Sequence, residues 1–208
     1  MRFDGSTLEN LAQWIGEGYS GSQLSPFLNG RALTRQPLMT APSGAGHHSS
    51  DTWRRYGYVE GLADDYRLLL IDLRAHGQSE GPHDAESYAM ARTVGDIVGV
   101  LDHAGVERTL YYGYSGGGRM GFGLGVLAPE RVAALAIGGA YPSNRRPPGL
   151  EARIAILRQG TEVYISHLES LYGDLPELWR RELEACDPLG LAAFMEANLA
   201  GPGLEEEV

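Results

Sequence analysis

The sequence predicts an α/β fold with a mostly parallel, doubly wound sheet, and two observations predict it. Short apolar runs of strand length alternate with longer segments of helical periodicity between residues 51 and 142. Polar or glycine-rich loops follow the carboxyl ends of these runs, where sites in such sheets lie. The alternation implies right-handed crossovers, which place helices on both faces of the sheet.

The elements follow in order from a weakly patterned first part, residues 1–50. A short strand is predicted over 37–42, followed by a small-residue loop that contains His47 and His48. A helix capped by Ser50 or Asp51 is predicted to run to about residue 63. The run 66–71 is continuously apolar, which is typical of a strand buried on both faces.

The second half of the sheet is marked more clearly. A helix is predicted over 85–104, then a strand over 109–114, a helix to about residue 127 and a buried strand over 132–137. After a linker at 144–149 the pattern is only helical, over 151–172, 176–185 and 188–199. We therefore divide the chain into a core, 1–142, in which 1–50 is poorly defined, and a helical segment, 143–208.

The composition excludes several classes of protein. The 208 residues are 43% hydrophobic and carry a formal net charge of −10, which argues against nucleic acid or an anionic membrane as a partner. The single cysteine, Cys186, allows no intrachain disulfide and fits a cytoplasmic location. No apolar run approaches the ~20 residues of a membrane span, and the paired His47 and His48 lack an evident third metal ligand.

The chemistry is predicted around Gly113-Tyr114-Ser115-Gly116-Gly117, which has the pattern G-x-S-x-G. A strand leads into it and a helix leads out, so the serine hydroxyl would stand on a sharp turn between small neighbours. The N-terminus of that helix would direct free backbone N–H groups at a developing oxyanion. The alternative is a glycine-rich turn that binds phosphate, although no phosphate-binding motif accompanies it.

A second motif lies after the strand over 66–71, at Asp72-Leu73-Arg74-Ala75-His76-Gly77-Gln78-Ser79. Together with the serine turn it makes the chain, from about residue 53 onward, similar to the α/β-hydrolase family. The motif resembles that family's D-x-R-G-H-G-x-S loop, with Ala75 in place of the usual glycine. The resemblance implies a sheet of α/β-hydrolase type with a helical cap that begins near Tyr141.

The same resemblance implies a Ser-His-Asp/Glu hydrolase, most often of esters, that needs no cofactor. Ser115 would be the nucleophile and the N–H of Gly116 one oxyanion donor, whereas His76 and its loop would be structural. Aromatic side chains would form an apolar substrate pocket; Tyr114 and Tyr141 are the binding residues we name, and Trp53 and Tyr112 would contribute.

The catalytic acid and base are not assigned by the sequence. In the family they follow the nucleophile on later strands, and this chain resembles a core truncated at the C-terminus before those strands. His47, His48 and His167 stay open as a substitute base. The second oxyanion donor would come from the loop that contains Gly44, Ala45 and Gly46.

Three hypotheses remain open from the sequence. The first is a hydrolase that uses Ser115 on a small ester-like substrate. The second is an inactive core that acts as a binding or self-associating module, because missing strands would leave an exposed sheet edge. The third is a base or acid supplied by another chain of a homo-oligomer.

Overall fold

A computed structural model describes residues 37–41, 50–142, 148–201 and 203–204. Its strands are β1 (Pro37–Ala41), β2 (Arg67–Leu70), β3 (Thr109–Tyr114) and β4 (Val132–Gly138). They form one sheet in the order β2-β1-β3-β4, and each described strand pair is parallel. The predicted α/β class with a parallel sheet is confirmed.

Helices cover both faces of this sheet. On one face lie α1 (Ser50–Arg55) and α2 (Tyr58–Leu62), and on the other lie α3 (Met90–His103) and α4 (Gly116–Leu127). Alternate residues of β3 enter the two layers, because successive side chains of a strand point to opposite faces. Tyr111 packs with α3 and α4, whereas Leu110 and Tyr112 pack with α1 and α2.

Four further helices follow β4 in the described chain. They are α5 (Leu150–Leu157), α6 (Thr161–Tyr172), α7 (Glu177–Glu184) and α8 (Pro188–Ala200). Their apolar side chains form a separate hydrophobic cluster that also takes in Ala75 and Tyr88 from the core. After α8 the chain returns to the sheet, where the N–H of Leu204 donates to the carbonyl of Pro142 at 2.8 Å.

Three predicted helices are interrupted in the structure. The helix predicted over 51–63 is broken at Gly57 (φ 77°), and the one over 151–172 is broken at Gly160 (φ 110°). Both glycines adopt positive φ angles, which glycine tolerates better than any other residue. The helix predicted over 85–104 begins as a 3₁₀ turn (Ala85–Tyr88) and becomes α-helical only after Ala89, whose ψ is 138°.

Two strands that the sequence predicts to be buried are partly exposed in the structure. β2 and β4 lie at the two ends of the described sheet, so each has a described neighbour on one side only. The residues Leu68, Leu69 and Leu70 of β2 are half-buried, and Ala133 and Ala136 of β4 are exposed. A continuous apolar run therefore did not distinguish a central strand from an end strand.

Candidate active site

The centre of the candidate site is the turn between β3 and α4, where Ser115 stands. Its backbone has φ 51° and ψ −114°, and Ser115 is one of two non-glycine residues with positive φ in the described chain. Such a conformation costs free energy and persists only where its surroundings determine it. One of these surroundings is β4, because the Ser115 N–H donates to the carbonyl of Gly138 at 2.8 Å.

The glycine two residues before the serine is required by close approach of the backbone. A Cβ atom on Gly113 would lie 2.4 Å from the carbonyl oxygen of Gly117, in the first turn of α4. A side chain there would push the helix away from the strand, because a backbone carbonyl cannot rotate aside. Gly113, the first glycine of the G-x-S-x-G pattern, thus allows β3 and α4 to close around Ser115.

Tyr111 supports this turn from below, a role that was not predicted from the sequence. Its hydroxyl donates to the carbonyl of Gly117 at 2.7 Å, and its side chain is 1% exposed. Burial raises the pKa of Tyr111 well above its usual range, so the hydroxyl stays a donor. The sequence did contain a signal for this role, because Tyr111 lies two residues before Gly113 and on the face of β3 that packs against the glycine-rich α4.

The first turn of α4 presents backbone N–H groups next to Ser115. The first helical hydrogen bond runs from the Arg119 N–H to the Ser115 carbonyl, at 2.9 Å. The N–H groups of Gly116 and Gly117 precede it, and such groups have no acceptor within their own helix. The assignment of Gly116 as an oxyanion donor remains a prediction.

The loop after β2 is built around the carboxylate of Asp72. One oxygen accepts the N–H of Ser50 at 2.6 Å, and the other accepts the N–H of Gln78 at 3.2 Å. The Asp72 carbonyl accepts the hydroxyl of Ser79 at 2.6 Å. Asp72 therefore joins the start of α1 to the loop. Its three hydrogen bonds are to protein groups that hold the loop in place, which agrees with a structural role for Asp72.

Arg74 and His76 stabilise the same loop. The guanidinium of Arg74 binds both carboxylate oxygens of Asp96, at 2.5 and 2.8 Å, and these hydrogen bonds raise its pKa. The Nδ1 of His76 lies 2.8 Å from the carbonyl of Arg74, which can only accept, so Nδ1 donates. The His76 side chain is 1% exposed, with its ring edge-on to that of Phe194.

Within the described chain, no histidine forms a hydrogen bond with the Oγ atom of Ser115. The Nε2 of His83 lies 2.8 Å from the carboxylate of Asp187, and His103 ends α3. His167 lies in the middle of α6. His47 and His48 lie outside the described residues, as do Gly44, Ala45 and Gly46.

The aromatic residues divide between core and surface. Trp53 and Tyr112 are 5% and 7% exposed, and their rings pack together at 4.7 Å within the layer of α1 and α2. Both side chains thus belong to the packed layer between the sheet and α1, and their contribution to a substrate pocket stays a prediction. Tyr114 is half-buried beside Gly139, and Tyr141 is 61% exposed. Their assignment as binding residues stays a prediction.

A comparison with protein families agrees with this geometry. A family model described as the alpha/beta hydrolase fold matches residues 36–160. The matched range includes both motifs, the serine turn and the Asp72 loop, and covers more than half of the chain. The chain belongs to the α/β-hydrolase family.

Individual relatives are similar over part of their length. The chain is 30% identical over 149 residues to a 3-hydroxybutyrate-oligomer hydrolase of Cupriavidus necator (67% of this chain, 50% of the relative). It is 35% identical over 100 residues to epoxide hydrolase A of Mycobacterium tuberculosis (47% and 30%). The enol-lactonase of Burkholderia xenovorans has the same fold, with a TM-score of 0.68, 21% identity and coverage of 86% and 70%.

The chain spans half or less of the length of the curated relatives it matches, and about two thirds of the length of its solved neighbours.

The structure shows how this α/β-hydrolase accommodates Ala75, where the family's loop motif usually has glycine. Ala75 has φ 63°, in the left-handed region, which explains why glycine is usual there. Its methyl group is buried against the helical segment that follows the core.

A pocket of about 290 Å³ opens where α8 meets the core. Its walls include Tyr88, Met90, Arg119 and Leu204. Arg119 lies one helical turn after Ser115, and its Nε donates to the Asn198 side chain of α8 at 3.1 Å. The pocket thus lies on the same side of α4 as the strained serine, beneath the last helix of the α5–α8 segment.

Neither a reactive thiol at Cys186 nor a metal centre is found in the described chain. Burial raises the pKa of Cys186 to about 11, so its thiol is protonated at neutral pH. No group of three histidine, cysteine or acidic residues that could hold a metal ion occurs among the described residues. No helix among the same residues is long and apolar enough to cross a membrane.

Proposed function

We propose that this α/β-hydrolase cleaves small ester-like substrates with Ser115 as its nucleophile. One observation carries the proposal: Ser115 keeps a strained backbone, φ 51°, at a strand-to-helix turn that its neighbours enforce. Strain of this kind costs about 1–3 kcal/mol and clusters at functional sites. A serine in a mere connection between β3 and α4 would gain nothing from it.

The chemistry follows from the position of the hydroxyl. Ser115 Oγ attacks the ester carbonyl carbon while its proton passes to a base, and the carbonyl oxygen becomes an oxyanion near the Gly116 N–H. Collapse of this intermediate expels the alcohol, which takes up the proton, and leaves an acyl-serine. Water then hydrolyses the acyl-serine, which releases the acid and regenerates Ser115.

Similarity supports an ester rather than another bond. The 3-hydroxybutyrate-oligomer hydrolase matches two thirds of this chain, and oligomers of a hydroxy acid are joined by ester bonds. The matches to epoxide hydrolases cover less of the chain. We assign Tyr114, at the end of β3, and the exposed Tyr141 to the walls that receive the substrate.

A second candidate function is a binding module without turnover. It is favoured by the lack of a hydrogen bond between Ser115 Oγ and any histidine of the described chain. A serine hydroxyl without an adjacent base is a weak nucleophile at neutral pH. The two functions differ in whether Ser115 reacts with an electrophile that mimics an ester.

The test is labelling of the folded protein with a fluorophosphonate probe, with the adduct located by mass spectrometry. We expect rapid labelling at Ser115 that is abolished in Ser115→Ala. The matched control is Ser166→Ala, which removes an exposed serine hydroxyl from α6 and should label like the natural chain. Absence of labelling in protein with a cooperative thermal transition would refute the hydrolase and favour the binding module.

The base is sought with the same probe and with short-chain nitrophenyl esters. His47→Ala, His48→Ala and His167→Ala each remove one of the three candidates. Loss of a catalytic base should slow acylation by orders of magnitude, whereas loss of a surface histidine should leave it unchanged. Turnover of a small epoxide with no turnover of the esters would contradict the ester assignment.

A further inference from the structure

The loop that follows β4 lies against the aromatic ring of Tyr114. Its first residue, Gly139, has φ 61°, in the left-handed region that glycine adopts without strain. A Cβ atom on Gly139 would lie 2.8 Å from Cε2, 2.9 Å from Cζ and 3.2 Å from the hydroxyl oxygen of Tyr114. Carbon atoms that are not bonded pack about 3.5–4.0 Å apart. The ring therefore occupies the space that a side chain at position 139 would need.

The opposite side of this loop packs against the first turns of α4. A Cβ atom on Gly118 would lie 2.9 Å from the Cβ of Ala140 and 3.0 Å from the carbonyl oxygen of Gly138. The same carbonyl accepts the Ser115 N–H at 2.8 Å. The loop is thus held between α4 and the Tyr114 ring, and it cannot withdraw from the ring without disturbing the serine turn.

Tyr114 is the residue immediately before the proposed nucleophile. It is half-buried, as are Ser115 and Gly116, whereas the rest of β3 is buried. Its ring packs on the sheet face that carries α1 and α2, and the loop after β4 bounds the ring on one side. A substrate that reaches Ser115 on this face therefore meets the Tyr114 ring.

We propose that Gly139 is a positioning residue that fixes the Tyr114 ring as a wall of the acyl pocket, and that this wall limits the substrates to esters of short acyl chains. The inference rests on the proposed function, because it concerns the acyl group that Ser115 accepts. That group stays bonded to Ser115 Oγ until water releases it, so it must fit beside the residues that adjoin the serine. A ring that cannot swing toward β4 sets a firm limit on its length.

Removal of the ring tests the wall. The measurement is kcat/KM for nitrophenyl esters from acetyl through butanoyl to octanoyl. One methylene that a pocket accepts or rejects changes reactivity about tenfold or more, so Tyr114→Ala should raise the octanoyl-to-acetyl ratio at least about tenfold. Tyr114→Phe keeps the ring and should keep the ratio of the natural chain. An unchanged ratio in Tyr114→Ala would overturn the proposal.

Gly139→Ala tests the position of the ring. Because α4 holds the loop, the added methyl group should displace the ring away from β4 and across the end of β3, toward the approach to Ser115. The butanoyl-to-acetyl ratio should then fall about tenfold. In the double variant Tyr114→Ala/Gly139→Ala the methyl group has no ring to displace, so its selectivity should equal that of Tyr114→Ala alone.

The matched control is Gly149→Ala, at the start of α5. Gly149 has φ 78°, and a Cβ there would meet no atom within 4 Å beyond its neighbours in the chain. This variant therefore carries similar backbone strain to Gly139→Ala without contact with a ring. Its thermal transition should shift by a similar amount, while its butanoyl-to-acetyl ratio should stay that of the natural chain. An equal change of the ratio in this control would contradict the role of Gly139.

The outcomes separate this inference from the proposed function. If the folded natural chain neither turns over the esters nor labels at Ser115, the proposed function fails, and the inference fails with it. If the esters are turned over and Gly139→Ala changes selectivity equally with and without the Tyr114 ring, the proposed function stands. Position 139 would then act through the Gly138 carbonyl and the serine turn, and only the positioning of Tyr114 would be overturned.

Discussion

Removing the hydroxyl of Tyr111 tests directly whether its hydrogen bond stabilises the serine turn. Tyr111→Phe removes one oxygen from a side chain that is 1% exposed and leaves its ring in place. The lost contact is the 2.7 Å hydrogen bond to the Gly117 carbonyl, in the first turn of α4. No cavity larger than the hydroxyl is created, so the change isolates the hydrogen bond.

The expected loss of stability follows from that one contact. A hydrogen bond of this kind contributes about 0.5–1.5 kcal/mol net, because unfolding returns both partners to water. The Gly117 carbonyl keeps its place in α4, where the helical hydrogen bond satisfies one of its lone pairs. We therefore expect the free energy of unfolding to fall by about 1 kcal/mol, which lowers the Tm of a chain of this size by about 2–4 °C.

The assay is chemical denaturation followed by circular dichroism, with Tyr172→Phe as the matched control. Tyr172 is 73% exposed, so the loss of its hydroxyl should leave stability unchanged. The probe reaction at Ser115 should also slow in Tyr111→Phe at temperatures well below unfolding, because the turn is less constrained. Equal stability of Tyr111→Phe and the natural chain would refute the support that we assign to this contact.

Two further predictions concern strain and charge. Ser115→Gly should be more stable than Ser115→Ala by about 1 kcal/mol in denaturation, because glycine relieves the strain at φ 51° while alanine keeps it; equal stabilities would show that the turn is unstrained. Burial opposes ionisation of Asp187, but hydrogen bonds from His83 and from the start of α8 hold its pKa below the ordinary 3.8. Because this pKa is lowered by folding, the ionised Asp187 carboxylate stabilises the fold above pH 3.8. That contribution is lost as the pH falls and the carboxylate becomes protonated. Asp187→Asn keeps the helix cap, so its free energy of unfolding at pH 7 should fall by less than about 1 kcal/mol. When unfolding is measured as a function of pH, this difference between the variant and the natural chain should vanish below pH 3.8. A difference that does not change with pH would contradict the prediction.

The sequence predicted the centre of the site better than its surroundings. The bounds of β3 and the end of α4 agree with those predicted, because an aromatic strand, a glycine turn and an apolar helix give strong local signals. The structural role implied for the Asp72 loop also agrees with its hydrogen bonds. Each motif is a short continuous segment, so its structure depends mainly on neighbouring residues and can be predicted from the sequence alone.

Features that depend on distant residues were not predicted. The packing of Trp53 against Tyr112 in the layer between the sheet and α1 was not predicted, because no local pattern separates a buried aromatic from one in a cleft. The helix breaks at Gly57 and Gly160 were missed because a single glycine is also tolerated inside helices. The end position of β4 depends on which strands pair, which periodicity does not encode.

The serine turn and the reactivity of the serine have separate physical origins. Gly113, Tyr111 and the carbonyl of Gly138 fix the backbone at Ser115 through packing and hydrogen bonds, and none of these contacts involves a titrating base. The turn would therefore keep its shape in a chain without turnover, since its stability comes from the fold. Reactivity instead requires a proton acceptor at Oγ, and the two properties respond to different substitutions. Tyr111→Phe should mainly lower the free energy of unfolding, whereas loss of the base should change only the rate of labelling at Ser115. Comparing the two variants therefore separates the stability of the turn from the reactivity of its serine.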